Sequence, residues 1–591
     1  MKEFFKKVKS ELTIEKVVVR IIMAWVLTSL CFFIKSDVDF ATPTYADGIN
    51  TIMFICYVVL FLVAFCALSL FKAFTWVETF GPTILLTIYG IMSVQSETEL
   101  SYVFGLMVML AISIIYAVNK TRTFVEIEKK AFVVAIYVVS ALFYMGVVGT
   151  TCIFRYLSFN NDNEGFAVIV QMFSNMKSDF VAYTSLNTGN NLAYFLTEFS
   201  PVYYLFLPFY MIFPSPITLL VLQILTVISG LIPVYLICRH YNLSKSATCA
   251  FSIVYALYPA LACGCYTDLH ESSFFVPLIL WTFYFIEKDK LKLIALMCIL
   301  LLMVHEDSVI YVAVIGIYLM LSGKKYAKGT LVLITGVVYY GTMVILMNQL
   351  GDYEISRGFS NYIVNGEGTL LDVIRNFVVN PAYVIQECFS LNKLQFMLFM
   401  FLPVGFMPLC SKKISKYVLF IPMVLINLAP DFDEKFSVFY EYAFGIAALL
   451  IYLSISNYAD MEEKTKKYLC AVAICASIVF LPTGTLSRME YVVDYSKNHK
   501  QYQKLYDAME EIPEDASVVV SPYFASHLAN RKVVYEYPSK RHTDVIVLDC
   551  RNDRYDSRVI KGFKKRGYVV LEEVKDFYVI LINKNLSINS N

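Results

Sequence analysis

Two short strings of acid and imidazole stand out in a chain of 591 residues that holds only six histidines. The first is Tyr266-Thr267-Asp268-Leu269-His270-Glu271, and the second is His305-Glu306-Asp307. A carboxylate beside an imidazole can take a proton from a hydroxyl, ligate a cation, or stand beside a phosphate as its acid. Further acids occur at Asp162, Glu164, Glu198 and Asp431-Phe432-Asp433-Glu434. Each has a plainer reading. Asp307 also suits the cap of a helix beginning near 308, and His270 suits a hydrogen bond to a loop carbonyl.

The elements that must position these residues are apolar. Hydrophobic residues make up 58% of the chain, charged residues 16%, and the mean hydropathy is +0.60. A soluble globular chain has about 45–50% apolar and 25% charged residues. The composition therefore indicates a polytopic membrane protein with a minority soluble part. Disordered, collagenous, coiled-coil and small disulfide-rich classes are excluded. A net charge of +1 offers no nucleic-acid footprint. The 14 cysteines fall mostly inside apolar runs and form no C-x-x-C pair, so a zinc or redox motif has no support. The charged N-terminus lacks a cleavable signal, and its first apolar run is expected to stay in the membrane.

A membrane-crossing helix needs about 20 apolar residues. Fifteen candidate runs lie near 17–35, 50–71, 77–94, 100–118, 131–154, 214–238, 247–264, 272–286, 291–304, 308–322, 329–349, 394–410, 416–430, 437–456 and 467–483. With the N-terminus inside and alternation thereafter, the inner connections carry 23 Lys and Arg and the outer ones 7. That asymmetry fixes orientation. It places the protein in the plasma membrane with its N-terminus cytoplasmic. It also puts both acid–imidazole strings, the segment 155–213 and the C-terminal segment on the outer face. Ionisable groups gathered at a bilayer surface are costly and usually functional.

Residues 484–591 change character. Short β-branched runs at Ser517–Ser521, Val533–Tyr537, Asp544–Asp549, Tyr568–Glu572 and Phe577–Ile582 alternate with helical stretches, which predicts a small α/β domain. No phosphate loop follows any strand. In the outer segment 155–213, Phe166, Ile169, Val170 and Phe173 fall on one helical face, with Gln171, Ser174 and Asn175 between them. This predicts an amphipathic helix in the interface plane. The aromatic stretch Tyr203 to Tyr210 suits a membrane belt and a lipid groove equally well. Arg155, at the outer end of the fifth helix, suits a lipid phosphate or a headgroup anchor.

An ordered set of short motifs carries a resemblance. It runs Ser200-Pro201-x-Tyr203-Tyr204, Phe213-Pro214-Ser215-Pro216, Leu222-Gln223, Gly230-x-x-Pro233-x-Tyr235, Tyr258-Pro259-Ala260, Asp268-Leu269-His270-Glu271 and Glu306-Asp307. Together these resemble the bacterial membrane family called domain of unknown function 2079, over about 131–591. That family is itself similar to type C glycosyltransferases, multi-pass enzymes that use polyprenyl-phosphate sugars. The resemblance implies a mostly α, polytopic membrane fold of about fifteen transmembrane helices with a small extracytoplasmic α/β domain. It divides the chain into four extra helices (1–130), a transmembrane core (131–483) with the outer loop 155–213, and the C-terminal domain (484–591).

The implied activity is transfer of a sugar from a polyprenyl phosphate to a cell-envelope glycan or protein on the outer face, among membrane lipids. Under this resemblance Glu164 or Asp162 would be the base. Asp268, His270, Glu271, Glu306 and Asp307 would line the site, and Arg155 would approach the lipid phosphate. A divalent cation or the arginine would stabilise the departing phosphate. Three positions depart from the family pattern. An Asp expected in the first outer loop is Gly165, a His expected before the Ser-Pro is Glu198, and another His is Ala443. These departures leave open a catalytically degraded relative that binds a lipid-linked glycan or a partner. A transporter ranks behind both readings, because its charges would sit near the bilayer midplane.

Overall fold

The computed structural model describes residues 13–34, 45, 48–71, 74–93, 100–121, 127, 129–161, 164–186, 192–196, 198–323, 325–350, 355–363, 370–484, 486–551 and 557–584. The fold is mostly helical with a small C-terminal sheet. Each of the fifteen apolar runs becomes a helical element. Among the described residues, seven helices are long and apolar enough to cross a membrane, and six more apolar helices are shorter. The run 416–430 differs from a regular α-helix. It forms a 3₁₀ segment, Ile414–Phe420, followed by a π turn, Met423–Leu428. Such irregularity marks places where side chains take over backbone duties.

Burial sorts the helices. Phe444–Ala459 is buried from Phe444 through Tyr458. A helix apolar on every side belongs at the centre of a bundle. Thr51–Leu68, more apolar still, has no buried residue and packs at the edge of the bundle, where Phe54 and Tyr57 meet Phe32. The first and third helices, Ile14–Phe33 and Phe74–Ser93, are tied by the buried pair Arg20–Glu78 at 2.5 Å. The N-terminal helices join the rest through a small core in which Val26, Leu30, Leu86 and Leu110 meet Ala476, Val479 and Phe480 of the helix Glu463–Gly484.

After the helix Lys130–Leu157 the chain turns through Phe159, whose φ of 54° is left-handed. It then enters the helix Glu164–Asp179 and a two-stranded ribbon, β1 (Tyr183–Thr184) against β2 (Leu192–Ala193). The last long helix, Glu490–Glu510, leads into five strands: β3 (Val518–Val520), β4 (Val534–Glu536), β5 (Val545–Asp549), β6 (Tyr568–Val574) and β7 (Tyr578–Asn583). Their order is β4-β3-β5-β7-β6. The pairs β3–β4 and β3–β5 are parallel, and β5–β7 and β7–β6 are antiparallel. All five strands fall on the β-branched runs read from the sequence. The helix Pro522–Leu528 had no periodic signal, being only seven residues long.

The helix Glu164–Asp179 corrects one expectation. It does not lie with a polar face in water. Phe166, Ile169, Phe173 and Met176 are buried, and so are Gln171 at 0% exposure and Asn175 at 4%. The C-terminal sheet unit covers the polar side. Gln171 Nε2 donates to Ser185 Oγ and to the Arg531 carbonyl, both at 3.0 Å. Its Oε1 accepts from Thr184 Oγ1 at 2.7 Å and from the Ser185 amide at 2.8 Å. Ser185 Oγ also brackets β4, accepting from the Val534 amide at 3.0 Å and donating to the Val534 carbonyl at 2.8 Å. Arg551 completes the docking by donating to the Phe159 carbonyl at 2.7 Å, past the end of the fifth helix.

Candidate functional site

Four connections between helices meet at one end of the bundle. The loop 264–270 follows the short helix Pro259–Cys263, and the 3₁₀ turn Glu271–Phe274 then enters the helix Phe275–Glu287. Gln223, from the helix Pro216–Ser229, accepts the His270 backbone N–H at 2.9 Å and fixes that loop. The corner 303–307 is tied to the 3₁₀ turn Pro201–Leu205 by the Val202 amide donating to the Met303 carbonyl at 2.9 Å. The segment 435–442 hangs from Asn427, whose Nδ2 donates to the Lys435 carbonyl at 2.6 Å and to the Tyr442 carbonyl at 3.2 Å. Asn427 sits in the π turn, so the helical irregularity serves to hold this loop.

The side chains that meet there form one electrostatic neighbourhood. His305 Nε2 lies 3.5 Å from Glu306 Oε1, and its Nδ1 accepts the Asp307 backbone N–H at 3.2 Å. Lys435 Nζ lies 3.7 Å from Asp307 Oδ2. His270 Nε2 lies 3.5 Å from Glu441 Oε2. The Tyr203 hydroxyl donates to Glu271 Oε2 at 2.8 Å. The Tyr194 hydroxyl donates to Glu198 Oε2 at 2.5 Å, and Glu198 itself is exposed at the rim. Glu306 Oε2 is buried with no hydrogen-bond partner.

These neighbours set the protonation states. Burial pulls the His305 imidazole down, but Glu306, Asp307, Glu271 and Glu198 outweigh it and raise the pKa to about 9. Burial likewise opposes, and Glu441, Glu271 and Asp268 override, so the His270 pKa is raised. Burial lifts the Glu271 carboxyl, with His305 pulling the other way. Burial also lifts Glu306, again against His305. The result is an imidazolium beside two carboxyls whose affinity for a proton is increased. That combination can accept a proton from a hydroxyl and stabilise the charge that follows.

The sequence-derived candidates separate into two groups. His270, Glu271, Glu306 and Asp307 converge, as their shared face predicts. Asp268 contributes to the field on His270 but is engaged by Asn161 and Arg155. Its Oδ1 accepts from Asn161 Nδ2 at 3.1 Å and lies 3.6 Å from Arg155 Nη1. Arg155 is buried and also donates to the Tyr266 carbonyl at 2.6 Å and to the Thr267 carbonyl. Its guanidinium is therefore engaged in holding the 266–268 loop against the fifth helix. Asp162 lies outside the described residues, and of Glu164 only its place as the first helical residue is described. Among the described residues, no group of three or more His, Cys, Asp or Glu is arranged to hold a metal ion. Glu441 and Lys435 escaped the sequence reading, and Tyr203 was read only as part of an aromatic stretch and a family motif. Glu441 had one available signal, its place directly before the Tyr442-Ala443-Phe444-Gly445 element. Asp431 and Asp433 are exposed, and Glu434 lies within the electrostatic reach of Glu441.

Over residues 170–566 the chain matches a family model described as "Predicted membrane protein (DUF2079)". No curated protein matches it. Among solved structures it is similar to an oligosaccharyltransferase from Archaeoglobus fulgidus, crystallised tethered to an acceptor peptide containing the NVT sequon through a disulfide bond. The identity is 12%, the match covers 71% of this chain and 69% of that one, and the TM-score is 0.37.

Proposed function

Because the chain belongs, through its match over residues 170–566, to the DUF2079 family of predicted membrane proteins, we propose that it is a membrane glycosyltransferase of the type C kind. It transfers a sugar from a polyprenyl phosphate to a hydroxyl of a cell-envelope glycan or protein, outside the plasma membrane. The chain divides at about 130 and 483 into four accessory helices, a transmembrane core and an extracytoplasmic α/β domain, with fifteen spans and a cytoplasmic N-terminus. The charge asymmetry of the connections supports that orientation.

In the reaction the acceptor atom attacks the anomeric carbon, the bond from that carbon to the phosphate oxygen breaks, and the acceptor's proton passes to a carboxylate. Two sets of carboxylates compete for this role. Glu164 and Asp162 have the position the type C resemblance requires. Glu271 and Glu306 have the environment, because burial raises their proton affinity beside the His305 imidazolium. The observation that carries the reading is the buried Glu306 Oε2, which has no hydrogen-bond partner although it stands at the meeting point of four connections. A second reading, a degraded relative that only binds the lipid-linked glycan, is favoured by Ala443. That residue is fully buried where the family pattern has an imidazole.

The test is transfer of labelled sugar from polyprenyl phosphate in reconstituted membranes. Transfer that is lost with Glu306→Gln, Glu271→Gln, or Asp162→Asn combined with Glu164→Gln supports the enzyme. Retention of the donor without transfer supports the binder.

A further inference from the structure

Behind the acid cluster, on the other side of the same two loops, lies a separate cavity of about 280 Å³. Tyr266 and Thr267 line it from one loop, and Phe439 and Tyr440 from the other. Glu441 directly follows Tyr440, and His270 and Glu271 stand three and four residues beyond Thr267, so the same two loops carry residues of both sites. Tyr523, from the helix after β3, closes the cavity, so the C-terminal unit is part of its construction.

Two guanidiniums face this space, and they are not equivalent. Arg155 is taken up by two carbonyls and by Asp268. Arg488 meets only aromatic groups: its Nη1 donates to the Tyr491 hydroxyl at 3.4 Å, and its plane lies over the Phe439 ring, 5.8 Å from the centroid. Among the described residues no carboxylate pairs with it. The Thr267 hydroxyl in the same lining is buried and has no hydrogen-bond partner. Arg488 itself lies in the 3₁₀ turn Leu486–Met489, which runs straight into the helix Glu490–Glu510 and fixes the arginine at the edge of the cavity. A half-buried cation without a counter-ion and an unpaired hydroxyl donor both favour a negative ligand with several acceptor oxygens.

We infer that this cavity is a phosphoryl-binding site in which Arg488, rather than Arg155, holds the anion. Arg155 is a positioning residue that keeps the 266–268 wall in place. The phosphoryl group comes from a lipid or from a free phosphate. The assignment deepens the transfer reading and rests on it only for the lipid as source. A phosphate here would stand one loop's thickness from Glu271 and Glu441, which suits a leaving group parted from the proton acceptor.

The test uses the full chain in lipid nanodiscs, with polyprenyl phosphate, the uncharged polyprenol, and inorganic pyrophosphate as probes. The expected result is retention of polyprenyl phosphate in clear preference to polyprenol. Arg488→Gln should weaken retention by about 10–100-fold, the effect of losing a charge-assisted hydrogen bond. Arg488→Lys should keep most of it, because the charge remains although the fork is lost. Displacement of the lipid by pyrophosphate identifies a site that reads the phosphate alone, and no displacement identifies the lipid-linked group. Equal retention by Arg488→Gln and the unmodified chain overturns the site, and so does equal binding of polyprenol. If Arg488→Gln does not fold, arginine modification of the unmodified chain decides instead. Protection of Arg488 from phenylglyoxal by polyprenyl phosphate supports the site, and an unchanged rate overturns it. Phosphate binding without any sugar transfer would sink the transfer reading and leave this one standing. Transfer with full lipid retention in Arg488→Gln would do the reverse.

Discussion

Tyr203 and Glu271, 68 residues apart in sequence, are joined by a buried hydrogen bond of 2.8 Å from the phenol to the carboxylate. The bond links the turn Pro201–Leu205, within the outer loop 155–213, to the 3₁₀ turn that starts the helix Phe275–Glu287, and it orients a carboxylate in the His305 field. Tyr203→Phe removes the donor and leaves a buried acceptor unsatisfied, at a cost of about 1–3 kcal/mol. The expected result is a lower unfolding midpoint in detergent. Without the donor the charged form of Glu271 loses support, so its already raised pKa moves further up. Any activity dependent on ionised Glu271 should then shift its acid limb to higher pH.

His305 predicts a pH signature. Its pKa in the fold, about 9, lies above the ordinary imidazole value of 6.5, so folding favours the protonated ring. The stabilisation is complete below about pH 6.5 and disappears as pH rises through about 9. The groups responsible are Glu306, Asp307, Glu271 and Glu198. Thermal unfolding followed between pH 7 and 10 should show stability falling through this window. His305→Gln should flatten that fall. An identical fall in the variant would assign the effect to another group.

The clamp at Gln171 sets a third expectation. Gln171→Leu keeps the volume but strands the Thr184 and Ser185 donors and the Arg531 carbonyl. A loss of about 1–3 kcal/mol follows. It should be read out as faster protease cleavage within 484–517, because the sheet unit is released from the helix Glu164–Asp179 before the membrane bundle opens.

Orientation is checked separately. A reporter fused after residue 591 should be active outside the cytoplasm, and one fused to the N-terminus should be active inside. The opposite result would place the acid cluster on the cytoplasmic face and remove its access to an extracytoplasmic acceptor.

What could be read before folding follows from the range of the forces involved. Helices and strands were legible because hydrophobic periodicity is local: β5 sits within Asp544–Asp549, and each apolar run became a helical element. The expectation that Asp268, His270, Glu271, Glu306 and Asp307 share one face came from alternation across a bilayer, a one-dimensional rule; the structure brings His270, Glu271, Glu306 and Asp307 into one electrostatic neighbourhood. The division of labour between neighbours was not. Asp268 and His270 are two residues apart, yet one pairs with Arg155 and the other with Glu441, and only the loop geometry fixed by Gln223 decides this. Glu441 and Arg488 stand in segments with little periodic signal. The polar face of Glu164–Asp179 looked ready for water because nothing local announces that a sheet from the far end of the chain covers it.

Sugar transfer from a polyprenyl phosphate is the proposed role of the acid cluster. The direct measurement is the rate at which labelled sugar leaves polyprenyl phosphate for an envelope acceptor in proteoliposomes, compared among the unmodified chain, Glu306→Gln, Glu271→Gln and the double change Asp162→Asn with Glu164→Gln. The expected result is transfer by the unmodified chain and a fall of about 10²–10⁴ when the base becomes an amide, with donor retention unchanged. A fall confined to the cluster variants assigns the base to Glu306 or Glu271, and one confined to the double change assigns it to the first outer loop. Full activity in all three variants, or no transfer by an unmodified chain that still retains the donor, would overturn the transferase reading.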